Sequence, residues 1–257
     1  MRQCDLNVNA MVLLTSVFLM GDQLDVKFSS NVLDRWLLRT EIGESAGYWE
    51  LSDQGSRAFL PSGRVGRPPL KIAVLVHVVG DFEVVAQYAT AKLPHPTTNI
   101  GSNNVEIAIS SPDGFATCFR SNEAGSRGDG YGFYLDYADQ RDSVFQHFPT
   151  TATAGQLAIR RTGNKLTFLQ GDVRGSFVEL GSLVFGSRPI TEVALQALAN
   201  RTTDGLDVRF ERLEIRADKI LRLHEPYKPG LNWWLWGPAA AAATVLAAWA
   251  IRRWRQS

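Results

Sequence analysis

The chain has few of the residues that mark the simplest functional classes. It contains only two cysteines, Cys4 and Cys118, so a framework of disulfides is not expected to hold the fold together. The formal net charge is +1, which argues against the strongly basic surface that nucleic-acid binding requires. The histidines lack the spacing of a metal site, and neither a phosphate-binding glycine loop nor a Gly-x-Ser-x-Gly nucleophile motif occurs. We therefore expect no metal, no cofactor and no nucleic-acid partner.

Helical periodicity is also missing from the body of the chain. Between Leu24 and Ala217, apolar and polar residues alternate with the period of two that is typical of strands with one buried face. Thr162–Asn164 contains residues that tolerate positive φ, which predicts a hairpin. The apolar phase changes within Leu206–Ile215, which predicts a β-bulge near Glu211. Many short strands separated by turns indicate an all-β fold of two antiparallel sheets packed as a sandwich.

Four segments, in this order, resemble strands of the concanavalin A-like lectin/glucanase superfamily: Gly80–Tyr88, Gly130–Leu135, Leu157–Phe168 and Leu206–Phe210. The likeness covers residues 24–217 and is closest to bacterial, membrane-anchored proteins of the laminin-G-like kind. It implies a two-sheet antiparallel jelly-roll sandwich, with a glycan or a protein of the cell envelope as the expected partner. Some laminin-G-like domains bind calcium through loop carboxylates, for which Asp113, Asp129 and Asp136 are the possible donors here, but Asp113-Gly114 reads equally well as a turn and we expect no metal.

The enzymes of this superfamily carry the pattern Glu-x-Asp-x-(x)-Glu on one strand, and no segment here matches it. Glu211 and Glu214 would fall on opposite faces of a regular strand. The one other carboxylate on the same strand face as Glu83 is that of Asp81. We therefore predict a binding or interaction domain and not an enzyme. Two alternatives stay open, a glycoside hydrolase of the same fold and a sensory or regulatory ectodomain.

The candidate ligand site follows from the alternation in residues 131–137. Tyr131, Phe133, Leu135 and Tyr137 are expected to face the core, which sends Tyr134 and Asp136 to the opposite face. Exposed aromatic rings stack on sugar rings while neighbouring polar groups bond the hydroxyls. We predict Tyr134 and Asp136 as ligand-binding residues, with Trp49 as a second candidate.

The C-terminus carries the one long uncharged run of the sequence. Residues 232–251 are long enough, at about 1.5 Å per residue, to cross the roughly 30 Å of a bilayer core as a helix. Tryptophans at both ends match the two membrane interfaces, and arginines within residues 252–257 mark the cytoplasmic side. We predict a single C-terminal transmembrane α-helix that binds the lipid bilayer; a buried alanine-rich helix is the alternative.

This orientation places the main domain outside the cytoplasm. Residues 1–22 are then interpreted as an export signal, although their apolar run would also suit a buried first strand. The predicted order continues with a β-sandwich domain over 23–217 and a juxtamembrane linker over 218–231. The helix and a short cytoplasmic tail follow.

Overall fold

The computed structural model describes residues 21–28, 37–42, 48–52, 54–63, 69–139 and 142–223, and these residues form strands and connecting turns without a helix. The strands pair antiparallel throughout. They build two sheets, so the prediction of an all-β sandwich is confirmed.

Sheet I has the strand order β13-β12-β11-β6-β15-β4-β3, and β1 also pairs with β15. Its strands are β1 (Asp22–Lys27), β3 (Tyr48–Ser52), β4 (Gly55–Leu60), β6 (Val76–Lys92), β11 (Ala154–Thr162), β12 (Lys165–Gly171), β13 (Phe177–Val184) and β15 (Leu206–Arg222).

Sheet II has the strand order β10-β9-β8-β7-β14-β5-β2. Its strands are β2 (Leu38–Ile42), β5 (Leu70–Val74), β7 (Ser102–Ser111), β8 (Gly114–Glu123), β9 (Gly128–Tyr137), β10 (Val144–Pro149) and β14 (Glu192–Asn200).

Two local predictions from the sequence are confirmed. The hairpin between β11 and β12 closes with Thr162 opposite Lys165, and Gly163 adopts a φ of 60° in its turn. The register between β15 and β6 shifts between Phe210 and Arg212, so the bulge falls where the apolar phase of the sequence changes.

The core lies between the sheets and is built by the alternating residues of each strand. On β6, the side chains of Phe82, Val84 and Ala86 are fully buried, as the alternation predicts. Across the core, the rings of Phe133 on β9 and Phe168 on β12 stack with centroids 4.4 Å apart. These contacts between the two inner faces hold the sheets against each other.

Buried polar groups also join the sheets. The hydroxyl of Tyr88 on β6 donates to that of Tyr131 on β9 at 2.9 Å. Cys118 is a buried free thiol on β8, and burial raises its pKa to about 12. A thiol in this state is a structural core residue and not a reactive one.

The boundaries of the strands extend beyond the predicted domain. β15 runs to Arg222, past the predicted boundary at residue 217. The predicted helix over 232–251 and the tail over 252–257 lie outside the described residues, as does the predicted signal apart from residues 21 and 22. Within the described ranges, no helix is long and apolar enough to cross a bilayer.

The stacked pair in the core gives a test of the packing. Replacing Phe168, which is fully buried, with alanine removes the ring that contacts Phe133 and leaves a cavity between the sheets. We expect the free energy of unfolding in urea to fall by about 3–5 kcal/mol. Val178 on the neighbouring strand is 59% exposed, so Val178→Ala should cost less than about 1 kcal/mol. Equal losses in the two variants would contradict this account of the core.

Candidate functional site

Several charged and polar groups on the outer face of sheet I form ion pairs or hydrogen bonds with one another. Arg160 Nη2 lies 2.6 Å from Glu83 Oε1, and Arg216 Nη2 lies 2.6 Å from Glu214 Oε1. Glu211 accepts a hydrogen bond of 2.5 Å from a glutamine on β6. The pairs that join Arg160 to Glu83 and Glu211 to β6 are cross-strand contacts, which stabilise a solvated sheet face, whereas Glu214 and Arg216 both belong to β15. Glu83, Glu211 and Glu214, which were considered as catalytic carboxylates from the sequence, therefore make structural contacts on this sheet.

The outer face of sheet II instead holds a cleft. Strands β7, β8 and β9 are adjacent, and their alternation sends one set of side chains to the core and the other outward. On β7, Val105 and Ile107 enter the core while Asn104 and Glu106 face the cleft. The cleft has a volume of about 310 Å³, at the lower end of the range for small-ligand sites. It is lined by Ser102, Asn104, Glu106, Phe115, Thr117, Phe119, Glu123, Tyr134, Phe145, Leu198 and Asn200.

Aromatic rings form one side of this cleft because a glycine makes room for them. Phe119 of β8 lies opposite Gly132 of β9, and a Cβ on Gly132 would lie only 2.6 Å from two ring atoms of Phe119. The ring of Phe119 can therefore lie over the backbone of β9. It stacks on Phe145 of β10 with the centroids 5.8 Å apart. Phe119 is only 3% exposed although it belongs to the outer face of the sheet.

Glu106 lies among apolar and neutral neighbours in the cleft. Its cross-strand neighbours are Phe119 on β8 and Gln196 on β14. The side chain is 5% exposed, and burial raises the pKa of its carboxyl to about 8. At neutral pH this carboxyl is therefore mostly protonated, and it is a hydrogen-bond donor as well as an acceptor.

Asn104 is a second buried polar group without a protein partner. It precedes Glu106 by two residues on the same face of β7, which places the two Cα atoms about 7 Å apart. The residue is 9% exposed, and its Oδ1 accepts no hydrogen bond. A buried carbonyl oxygen in this state costs free energy unless a ligand or water supplies a donor. Asn104 and Glu106 thus form a polar pair that faces a ligand-sized space.

Among the described residues that line the cleft, the one other acid lies well along the sheet from Glu106 in backbone register. The neighbours of Glu106 on the same face of β7 are Asn104 and Ala108. Glu123, the other acid that lines the cleft, lies opposite Ser102 on β8. Four residues of strand separate Ser102 from Glu106, which is a distance of about 13 Å. Glycosidases hold their two carboxyl groups about 5 to 9.5 Å apart.

The residues predicted from the sequence do not all meet at this site. Tyr134 lines the cleft, between Thr117 and Phe145 on the neighbouring strands. Asp136 is exposed on the same face of β9, but it does not line the cleft. Trp49 lies on β3 of sheet I, and its ring packs on Phe210 with the centroids 5.8 Å apart. We therefore place Tyr134 alone of the three in the candidate site.

Glu106, Asn104 and Phe119 were not predicted as site residues from the sequence. The alternation on β7 did separate Glu106 from Val105 and Ile107, and this was the available signal. What marks Glu106 as unusual is its burial on an outward face, which depends on the bulk of Phe119 from the next strand.

A larger cavity, of about 640 Å³, lies on sheet I. Its main charges are paired, since Arg57 donates to both oxygens of Asp207 at 2.8 and 2.6 Å and also contacts Glu50. This arrangement raises the pKa of the Arg57 guanidinium, mainly through the hydrogen bond to Asp207. Arg209 also lines this cavity, and its Nε is buried without a hydrogen-bond partner.

The aspartates considered for calcium are held separately. Asp113 accepts from the backbone N–H of Arg188 at 3.0 Å, and Asp129 pairs with Arg120 at 2.8 Å. Among the residues that the structure describes, no three His, Cys, Asp or Glu side chains are grouped in a way that suits a metal ion.

The fold belongs to a known architectural class. The chain is similar to a Bacillus licheniformis β-glucanase, with 10% identity, a TM-score of 0.51 and coverage of 77% of this chain and 99% of that one. It is also similar to an immunostimulatory antigen and pseudo β-1,3-glucanase of Mycobacterium tuberculosis, with 9% identity, a TM-score of 0.52 and coverage of 76% and 98%. The CBM2 module of an evolved Dit from Lactobacillus casei BL23 phage J-1 matches with 10% identity, a TM-score of 0.53 and coverage of 75% and 94%. The concanavalin A-like jelly-roll sandwich expected from the sequence is therefore confirmed.

A family assignment follows from the sequence comparison. Residues 5–232 match the model of the C domain of a protein family of unknown function, DUF1583, and the chain belongs to this family. No functionally curated protein matches the chain. Likeness to structures at this level of identity establishes the fold and leaves function to be argued from the site.

The raised pKa of Glu106 gives a test that requires no ligand. An unfolded glutamate ionises near pH 4.5, whereas the folded one retains its proton to about pH 8. Stability relative to Glu106→Gln should therefore decline as the pH rises from 4.5 to 8, because ionisation favours the unfolded chain. We expect the glutamine variant to match the wild type near pH 4 and to exceed it by about 3–5 kcal/mol above pH 8. Urea unfolding at several pH values measures this difference, and parallel profiles would contradict the burial of an unpaired carboxyl.

Proposed function

We propose that this protein is a non-catalytic glycan-binding domain that holds a sugar chain in the cleft of sheet II. The observation that carries the proposal is the combination of buried polar groups without protein partners and an aromatic wall in one ligand-sized space. Asn104 supplies an acceptor, Glu106 supplies a donor and acceptor, and Tyr134, Phe115 and Phe145 supply apolar ring faces. Sugars present both apolar ring faces and hydroxyls, so they match both features.

A glycoside hydrolase of the same fold is the second candidate. One observation favours it, because a general acid must be protonated at working pH and burial keeps Glu106 in that state. Hydrolysis also needs a nucleophile or a general base. The described cleft places Asn104 and Ala108 beside Glu106 on its strand and places Glu123 about 13 Å away along the sheet. This geometry favours binding over hydrolysis.

A glycan array with the full chain in detergent tests the binding proposal. We expect binding to one class of oligosaccharide, and Tyr134→Ala should weaken it at least tenfold because the ring contact is lost. Tyr48→Ala is the matched control, since Tyr48 is 42% exposed on sheet I and should leave binding unchanged. The bound sugars should release no reducing ends on prolonged incubation. A flat array would refute glycan binding, and steady release of reducing ends would favour the hydrolase.

We further propose that residues 232–251 anchor the domain in the cytoplasmic membrane with the sandwich outside. The uncharged length of this segment, its flanking tryptophans and the arginines that follow support this arrangement. The partner of the domain would then be a glycan of the cell envelope, or a protein of the envelope that carries one.

Protease treatment of intact spheroplasts tests this orientation. We expect the sandwich to be accessible to protease while an epitope placed after Ser257 stays protected, because residues 252–257 would lie on the cytoplasmic side. Permeabilised cells, in which both should be digested, provide the control. Protection of the sandwich in intact spheroplasts would overturn the orientation.

A further inference from the structure

Glu106 is a candidate for selecting among ligands by their charge, and the inference below rests on the binding site proposed above. The side chain is 95% withdrawn from solvent, lies on the face of β7 that lines the cleft, and forms no hydrogen bond with the described residues. Its surroundings on β8 and β14 are neutral, with Phe119 and Gln196 as cross-strand neighbours. A carboxyl in such a position is stable only in its uncharged form.

The charged groups around the cleft do not compensate a negative charge at this position. Lys71 on β5, the next strand beyond β14, is held by Glu192 at 2.9 Å. On the side of β8 the charged group that lines the cleft is Glu123, itself acidic, and the buried Cys118 thiol lies on the core side of the same strand. At the rim, Arg127 is exposed and lies over the Phe145 ring at 5.1 Å.

His147 of β10 is a further titratable group on this side. Its pKa is lowered, mainly by burial and also by nearby arginines. Among the described residues that line the cleft, two are acidic and none is basic. An anionic ligand in the cleft would therefore be removed from water beside two acidic residues and no basic one.

We infer that the cleft selects uncharged sugars over uronates and other anionic sugars, with Glu106 donating a hydrogen bond to the sugar in a lining that offers no cation among the described residues. The carboxyl O–H donates to a sugar oxygen, and Asn104 Oδ1 accepts from a sugar hydroxyl. A uronate carboxylate at this position would lose its hydration without a cation in the described lining to pair it. A bound sugar also covers Glu106 further, so ligand binding and protonation favour each other.

The raised pKa of Glu106 determines how ligand affinity should change with pH. Below pH 8 the carboxyl is protonated in the folded protein, and ligand affinity is expected to be independent of pH. Above pH 8 the proton must be taken up before the sugar binds, so affinity should fall by up to tenfold per pH unit. Glutamine in the same place donates through its amide at every pH.

The experiment uses an array of uncharged hexose oligosaccharides together with the same oligosaccharides oxidised at C6 to uronates, probed with the full chain from pH 6 to pH 9.5. We expect the uncharged members to bind and their oxidised counterparts to bind at least tenfold more weakly. Binding of the uncharged members should weaken above pH 8 in the wild type and stay level in Glu106→Gln. Glu106→Ala should bind weakly at every pH, because it has no donor.

Glu179→Gln is the matched control, since Glu179 is exposed on β13 of sheet I and the variant should keep the wild-type profile. Equal binding of the oxidised sugars, or the same decline above pH 8 in Glu106→Gln as in the wild type, would overturn the role of Glu106 while leaving glycan binding intact. Absence of binding to every member of the array would instead refute the proposed function, and the inference with it.

Discussion

The two-residue repeat of the β-strand is the constraint on which both the core and the cleft depend. The central strands of sheet II each give alternate side chains to the layer between the sheets and to the outer face. On β7 this places Ile107 in the core and Glu106 in the cleft, and on β9 it places Phe133 in the core and Tyr134 in the cleft. A shift of one residue in register would exchange the two sets. The burial of the apolar set therefore fixes the position of the site.

The two outer faces show different uses of polar residues. On sheet I, carboxylates and guanidinium groups pair across strands, as with Glu83 and Arg160. On sheet II, Asn104 and Glu106 are both buried, and Asn104 Oδ1 lacks the hydrogen bond that would offset the cost of removing it from water. Buried polar groups without partners are expected at functional sites, where a bound ligand can supply the missing hydrogen bonds. The candidate site is located by the combination of these two buried groups with the aromatic side chains that line the same cleft.

The similarity to glucanases and to a carbohydrate-binding module extends to the sandwich as a whole. It does not transfer their activities, because the same fold hosts unrelated functions and the activity depends on particular side chains. In this chain the described cleft has one deeply buried acid, Glu106, between Asn104 and Ala108 on its strand. The proposed function therefore follows from these residues and not from the fold.

The class of fold could be predicted from the sequence, because alternation, turn residues and the change of phase near Glu211 are local properties of the chain. It also placed Tyr134 on the face opposite the core. It could not show that Glu106 is buried or that Trp49 packs on Phe210, since both depend on side chains that come from other strands. The pairing of β7 with β8 and the glycine at position 132 bring Phe119 over the cleft. The burial of Glu106 therefore follows from the tertiary structure, because the neighbours of a group in space, and not its neighbours in sequence, determine how far it is removed from water.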